Sequence, residues 1–191
     1  MVVGGGELAA RKVDSLLLAR AEVTVVAPGV SDALGARVDA RGITWRQKSY
    51  ESADLADVAL VFTATGVPEV DQAVSTDATA RGLFVNSADD PANCSFFLTA
   101  VVRRDPVLVS ISTSGASPGL ASYLRRRLEA QLEAHLGDVA MLLGDVRSEL
   151  HTQGTSTEGL DWEAAIGPAL FELIADGKHA EARRFVLERL S

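Results

Sequence analysis

Short β-branched runs alternate with helix-length stretches through the first hundred residues, and this rhythm constrains the fold more than any other feature. Met1–Val3 is an apolar stub, followed at once by Gly4-Gly5-Gly6 and a helix-patterned stretch from Glu7 to Arg20. Val23–Ala27 (VTVVA), Val58–Thr63 (VALVFT) and Phe84–Ser87 (FVNS) have the length and branching of buried parallel strands. Between them, Ser31 is placed to cap a short helix reaching Ala40, and Ile43–Gln47 alternates like an edge strand. Pro68 suits the first turn of a helix running to Arg81. Such alternation implies right-handed crossovers, so the expected class is α/β: a doubly wound parallel sheet with helices on both faces. The three-residue stub is short for a first strand, and the chain start is expected to be truncated.

The grammar changes after residue 95. Phe96–Val102 and Val107–Ser112 are strand-like and joined by Arg103-Arg104-Asp105-Pro106, which reads as an antiparallel pair. Ser117 is the expected N-cap, and Pro118 the first residue, of a long helix. Leu120, Leu124, Leu128, Leu132 and Leu136 recur every four residues and mark an apolar face of that helix. The polar run His151–Gly159 then leads to helices at about Asp161–Ala175, capped by Asp161, and Lys178–Leu190, with Gly177 as the break between them. The expected organisation is a nucleotide-binding domain over 1–95, a strand pair and long helix over 96–136, and a small all-α domain over 137–191.

Charge and composition exclude several classes. Eighteen basic against twenty-six acidic side chains leave a net charge of −8, which argues against non-specific nucleic-acid binding and a polybasic membrane anchor. No apolar run reaches the roughly 18 residues needed to span a bilayer, and with no basic n-region or cleavage site in the opening residues no secretion signal is expected. A cytoplasmic protein is expected. One cysteine, Cys94, and three scattered histidines give neither an internal disulfide nor a Cys/His zinc cage, so no metal site is expected.

Gly4-Gly5-Gly6-Glu7-Leu8-Ala9 fits the dinucleotide fingerprint G-x-G-x-x-G/A. In that pattern Gly4 makes the tight turn, Gly6 admits a pyrophosphate, and Ala9 lets the helix lie close to the sheet. Backbone N–H groups of Glu7 and Leu8 then point at phosphate oxygens. The flanking strand, helix and second strand are the context that supports this reading over a ligand-free turn. The acid usual after the second strand is missing: Ala27-Pro28-Gly29 stands there, so Pro28 and Gly29 must approach the ribose through their backbones. No arginine follows to meet a 2′-phosphate, which favours NAD over NADP. Asp89 and Asp90 follow the strand Phe84–Ser87 at the carboxyl edge where ligands collect, although adjacent acids also suit a solvated turn. Ser110–Ser117 places hydroxyls at a helix start, either for an anionic group or simply as a cap. Arg125-Arg126-Arg127 is either a cationic rim or a solvated face, and His135 reads as structural.

In order along the chain stand VVGGGELAARK (Val2–Lys12), VTVVAP (Val23–Pro28), FVNSADDP (Phe84–Pro91), SFF (Ser95–Phe97), SISTSGASP (Ser110–Pro118) and DGKHAEAR (Asp176–Arg183). Together they resemble the precorrin-2 dehydrogenase family, the NAD-dependent siroheme synthase module also found fused to a methyltransferase. The resemblance implies a Rossmann-type domain, a dimerisation segment and a helical domain. It also implies a homodimer that oxidises precorrin-2 to sirohydrochlorin, in some members followed by ferrous iron insertion. It places the essential aspartate on Asp89 and a phosphorylatable hydroxyl on Thr113 or Ser114. The candidate cofactor residues are Gly4, Gly6, Glu7, Leu8, Ala9, Pro28, Gly29, Thr63, Ala64, Thr65 and Asn86. Those for the acetate- and propionate-bearing substrate are Ser112, Thr113, Ser114, Gly115, Ser117 and Arg125. Two departures stand out: Ala64-Thr65-Gly66-Val67 lacks the acids usual after the fourth strand, and Arg20 replaces a turn glycine. The competing reading is a dimeric NAD(H)-sensing regulatory module without turnover, which gives no reason for Asp89 or the hydroxyl-rich loop.

Overall fold

Five parallel strands carry out the rhythm of the first hundred residues in the computed structural model, which describes residues 1–88 and 90–190. They are β1 (Val2–Val3), β2 (Thr24–Val26), β3 (Thr44–Arg46), β4 (Leu60–Thr63) and β5 (Phe84–Ser87). Their order is β3-β2-β1-β4-β5, with β3 at an edge as its alternation predicts. The chain leaves β1 in one direction and later returns to its other side, so the topological switch point lies between β1 and β4. Register aligns the carboxyl ends: Val3 pairs with Val26 and with Thr63, and Thr63 with Ser87.

Residue alternation explains the layers. Val2, Val25 and Phe62 face one side and pack with Ala9, Ala10 and Val13 of α1 (Glu7–Leu18) and Leu34 of α2 (Asp32–Arg41). Val3, Val26, Val61 and Val85 face the other side, under Val74 and Ala78 of α3 (Pro68–Ala80). Both faces are covered, which is why these strands read as continuous apolar runs. Ser31 caps α2 by accepting a hydrogen bond from the Leu34 amide at 3.3 Å.

Helix α1 stops two residues before its sequence pattern does. Arg20 takes a left-handed φ of +56°, and the amides of Arg20 and Ala21 return to the carbonyls of Leu17 and Leu16 at 2.9 and 3.0 Å. This is a helix stop that favours glycine, because any Cβ crowds the following carbonyl there. Arg20→Gly is therefore expected to raise unfolding stability by about 1 kcal/mol. Denaturant titration checks this, and an unchanged or lower midpoint would contradict it.

Residues 99–191 form a second compact unit. Strands β6 (Ala100–Arg104) and β7 (Val107–Ile111) pair antiparallel, as expected. Ser117 accepts from the Leu120 amide at 3.2 Å and starts α4 (Pro118–Gln131). The leucine stripe, however, is not the face of one long helix. Helix α4 ends at Gln131, and Leu136 begins α5 (Leu136–Thr152). Leu120 is 48% exposed, and Ala121 is the buried residue of α4. The break has a tertiary cause: Gly137 lies against the Arg104 and Asp105 carbonyls so closely that a Cβ would come within 2.9 Å of Arg104 O. The expected helix 161–175 is also divided. Asp161 accepts from the Ala164 amide at 3.0 Å and caps only a 3₁₀ turn, Glu163–Ala165. Pro168, an overlooked start signal, then opens α6 (Pro168–Ala175). After Gly177, at φ +72°, α7 (His179–Arg189) closes a core of Val139, Val146, Leu170, Ile174, Ala182 and Val186. Among the described residues, no helix is long and apolar enough to cross a membrane.

Candidate functional site: a cleft at the glycine turn

The three glycines do different work. Gly4 has φ +125° and donates to Val26 O at 3.0 Å, and a Cβ there would run into the Ala64 carbonyl, whose carbon lies 2.6 Å away. Gly5 is equally confined, because its Cβ would collide with Gly29 O while its own carbonyl accepts from the Ser31 amide at 2.7 Å. Gly6 differs. Its φ of −84° suits any residue, and a Cβ there would meet nothing within 4 Å. It is the N-cap of α1 without a side-chain cap, so the first-turn amides are left for an external acceptor. Ala9 is wholly buried between α1 and the sheet.

Two cavities meet at this turn. One, of about 420 Å³, is lined by the three glycines, Pro28, Gly29, Ser31, Ser49, Tyr50 and Thr65. The other, of about 500 Å³, is lined by Gly6, Glu7, Leu8, Ala64, Thr65, Gly66, Asp71, Ser87, Ala88 and Asp90. Each falls within the roughly 300–1,000 Å³ of small-molecule sites. Gly6 and Thr65 border both, so an uncapped helix N-terminus sits where the two join. That arrangement fits a dinucleotide, whose anionic middle needs such a terminus and whose two halves need separate pockets.

Buried polar clusters hold the rim. Asp71, from the first turn of α3, accepts from the Thr63 hydroxyl, from the Thr65 amide at 3.1 Å and from the Thr65 hydroxyl at 2.8 Å. Thr63 is wholly buried by this bond, so it lies beneath the cleft and secures the Thr65 loop; the expectation that it meets the cofactor is corrected accordingly. Asn86 is also buried, donating to Phe96 O at 3.0 Å and accepting from Lys12 at 3.4 Å, which makes it a support of the β5 end. Pairing across strand, loop and helix at these separations leaves no local signal, and sequence reasoning missed Gly5, Ser49, Tyr50 and Asp71.

Asp54 stands four residues beyond Tyr50, which lines the first cavity. Its buried carboxylate accepts from the Glu51 amide at 3.0 Å and pairs with Lys48 at 3.1 Å and Arg46 at 3.2 Å. Burial pushes its pKa up, but the Glu51 amide, Lys48 and Arg46 outweigh burial and hold it below the ordinary carboxylate range. The Tyr50 hydroxyl donates to Asp77 at 2.9 Å, and burial, with that acid beside it, raises its pKa. A depressed carboxyl contributes stability above its unfolded-state pKa and loses it as pH falls through the folded-state value. Asp54→Asn is thus expected to melt below the wild type at neutral pH, by about 2 kcal/mol for a carboxylate with charge-assisted bonds. The gap should close below about pH 4, where the unfolded carboxyl protonates. A gap independent of pH, followed by calorimetry, would remove the charge from this account.

Asp89 lies outside the described residues. Its neighbours are ordered by their own bonds: the Ala88 amide donates to Thr63 O at 2.9 Å, and Asp90 accepts from the Ala92 amide at 3.1 Å and Asn93 Nδ2 at 2.8 Å. Asp90 is thereby a turn cap, as its place before Pro91 predicts. Cys94 anchors the same loop, with its sulfur 3.2 Å from Ser87 O and 3.3 Å from Asp90 O.

The hydroxyl-rich loop belongs to the second unit. Thr113 Oγ1 bonds the Ser117 amide and carbonyl, both at 3.1 Å, and Ser112 Oγ accepts from the Ser114 amide at 3.1 Å. Ser117 is the N-cap of α4. Ser114 and Gly115 are exposed, both at positive φ. Arg125 pairs with Glu129 one turn along at 2.6 Å, so its charge is already partnered, and Arg126 and Arg127 are exposed. His135 pairs with Asp138 at 2.9 Å, a structural role.

Comparison with known proteins agrees with this geometry. A family described as "Putative NAD(P)-binding" matches residues 1–100, and the sirohaem biosynthesis protein central segment matches residues 98–131. Siroheme synthase 1 of Serratia proteamaculans is 38% identical over 188 residues, covering 96% of this chain and 39% of that protein. Siroheme synthase of Methylococcus capsulatus is 38% identical over 191 residues, covering 98% and 40% respectively. The chain thus spans about two fifths of the length of the curated relatives it matches. The solved structure of SirC, a precorrin-2 dehydrogenase, superposes with a TM-score of 0.71 at 24% identity over 98% of this chain and 91% of that one, which establishes the shared fold. With a fingerprint turn, a paired cleft and a family match over more than half its length, the chain belongs to the putative NAD(P)-binding family.

Proposed function

We propose that this chain oxidises precorrin-2 to sirohydrochlorin, with NAD as the hydride acceptor, in siroheme biosynthesis in the cytoplasm. The observation that carries the proposal is the double cavity joined at Gly6, at the switch point of a chain whose relatives are siroheme synthases. NAD, when bound, would supply the hydride-accepting ring; the chain's own residues supply position and electrostatics. Pro28 and Gly29 receive the adenosine half, the amides of Glu7 and Leu8 bind the pyrophosphate, and the cavity beside Ala64, Thr65 and Ala88 takes the nicotinamide half. One hydride and one proton leave the substrate, and Asp89 takes the proton as general base. Exposed Ser114 and Gly115 at the head of α4 are the proposed contacts for substrate carboxylates, with Ser112, Thr113, Ser117 and Arg125 shaping that loop and helix.

NAD is favoured over NADP for a stated reason. Arg46 and Lys48, the cations next along the chain to the first cavity, are committed to Asp54 and Glu51. No acid-free cation there waits for a 2′-phosphate among the described residues. Anaerobic turnover of precorrin-2 with each dinucleotide tests the proposal: reduction of NAD faster than NADP supports it, and no reduction of either contradicts it. Adding ferrous iron to the same mixture reads whether chelation follows.

A homodimer is part of the proposal. A two-stranded ribbon is marginal alone in water, and Leu108, Leu120 and Tyr123 of the second unit stand about half exposed. Light scattering at micromolar concentration is expected to give the mass of two chains, and a monomer would remove this part.

A further inference from the structure

Among the described residues, Ser87 Oγ is buried with no hydrogen-bond partner. Strand alternation fixes its direction. Val61 and Val85 lie under α3, Thr63 reaches Asp71 of α3, and Ser87 pairs with Thr63 in register, so Ser87 stands on the same face. Asp71 is only 8% exposed, and its three hydrogen bonds all fall on Oδ1. Its Oδ2 takes none among the described residues. Ser87 and Asp71 both line the 500 Å³ cavity. That wall therefore offers a hydroxyl in need of a partner and a carboxylate oxygen that can only accept.

A primary carboxamide matches this pair: its carbonyl accepts and its NH₂ donates. A carboxylate or phosphate matches poorly, because it would meet the Asp71 charge without a proton between them. We infer that Ser87 and Asp71 hold the carboxamide of the nicotinamide ring, with Ser87 Oγ donating to its carbonyl and Asp71 Oδ2 accepting from its NH₂. The inference rests on the cofactor reading above and deepens it. It makes Ser87 and Asp71 positioning residues that decide which face of the ring is turned outward. It also gives the orphan hydroxyl a reason to remain in a site where an unmade bond is costly.

Calorimetry on the full chain separates the possibilities by comparing NAD, ADP-ribose, which lacks nicotinamide, and nicotinic acid adenine dinucleotide, which carries a carboxylate instead. Ser87→Ala is expected to weaken NAD binding about three- to tenfold, the worth of one hydrogen bond, and to leave ADP-ribose binding unchanged. Its melting temperature should equal or exceed that of the wild type, since an unpartnered buried hydroxyl is removed. The wild type itself should bind NAD at least about tenfold more tightly than the carboxylate form, a comparison that needs no variant. Equal losses for NAD and ADP-ribose, or no loss for either, would overturn the inference, as would equal wild-type affinity for the carboxamide and carboxylate forms. If the wild type bound neither NAD nor ADP-ribose, the cofactor reading itself would fall.

Discussion

Asp89→Asn is expected to lower turnover of precorrin-2 by about 10²–10⁴-fold, the span for losing a general base, while leaving NAD affinity and assembly unchanged. The argument comes from what surrounds the position. Ala88 is tied to Thr63 at the end of β4, Asp90 caps the following turn, and both line the cavity proposed for nicotinamide. Asparagine keeps the shape and removes the basicity, so the effect should fall on kcat. Asp90→Asn provides the contrast, because an amide oxygen still accepts from the Ala92 amide, and turnover should stay within about tenfold of wild type. Steady-state rates for the two variants decide the matter. A silent Asp89→Asn beside an inactive Asp90→Asn would reverse the roles, and normal rates in both would remove the carboxylate base.

Gly6→Val should abolish measurable NAD binding, a loss of about 100-fold or more, in a protein that still folds. The φ of −84° tolerates a β-branched residue, and no atom lies within 4 Å of the new Cβ, so the fold loses only helix-entry preference. The side chain instead occupies the junction of the two cavities, where the pyrophosphate must pass. Gly4→Val and Gly5→Val should behave oppositely, unfolding the protein, because their Cβ positions are taken by the carbonyls of Ala64 and Gly29. Overpacking against backbone cannot be relieved by a rotamer change. Circular dichroism separates folded from unfolded variants, and calorimetry reads NAD binding. A folded Gly6→Val protein with wild-type affinity would place the cofactor elsewhere.

Much of the fold was legible where local signals and tertiary structure agree. Phe84–Ser87 is strand β5 as read, Ser31 and Ser117 are the caps expected of them, and Pro68 and Pro118 open their helices. Misreadings arose where a contact distant in sequence decides the backbone. The stripe Leu120–Leu136 has good helical spacing, yet the close approach of Gly137 to the β6–β7 turn starts a second helix. Thr63 and Asn86 stand at strand ends facing a cleft in the linear reading, but Asp71 and Phe96 O draw their side chains inward. Gly5, to which the fingerprint assigns no role, is as confined as Gly4, because Gly29 comes against it. The orphan Ser87 hydroxyl is visible only once register places it beside Thr63 and Asp71.

The most direct test of the central claim is the stoichiometry of a single incubation. Purified chain, precorrin-2 and a limiting amount of NAD are mixed without oxygen, and NADH and sirohydrochlorin are followed together by absorbance. The account predicts one sirohydrochlorin formed for each NAD reduced, with both signals slowed together by about 10²–10⁴-fold in Asp89→Asn. Binding of NAD without appearance of either product, in a folded wild-type protein, would contradict it and leave a nucleotide-binding module without turnover.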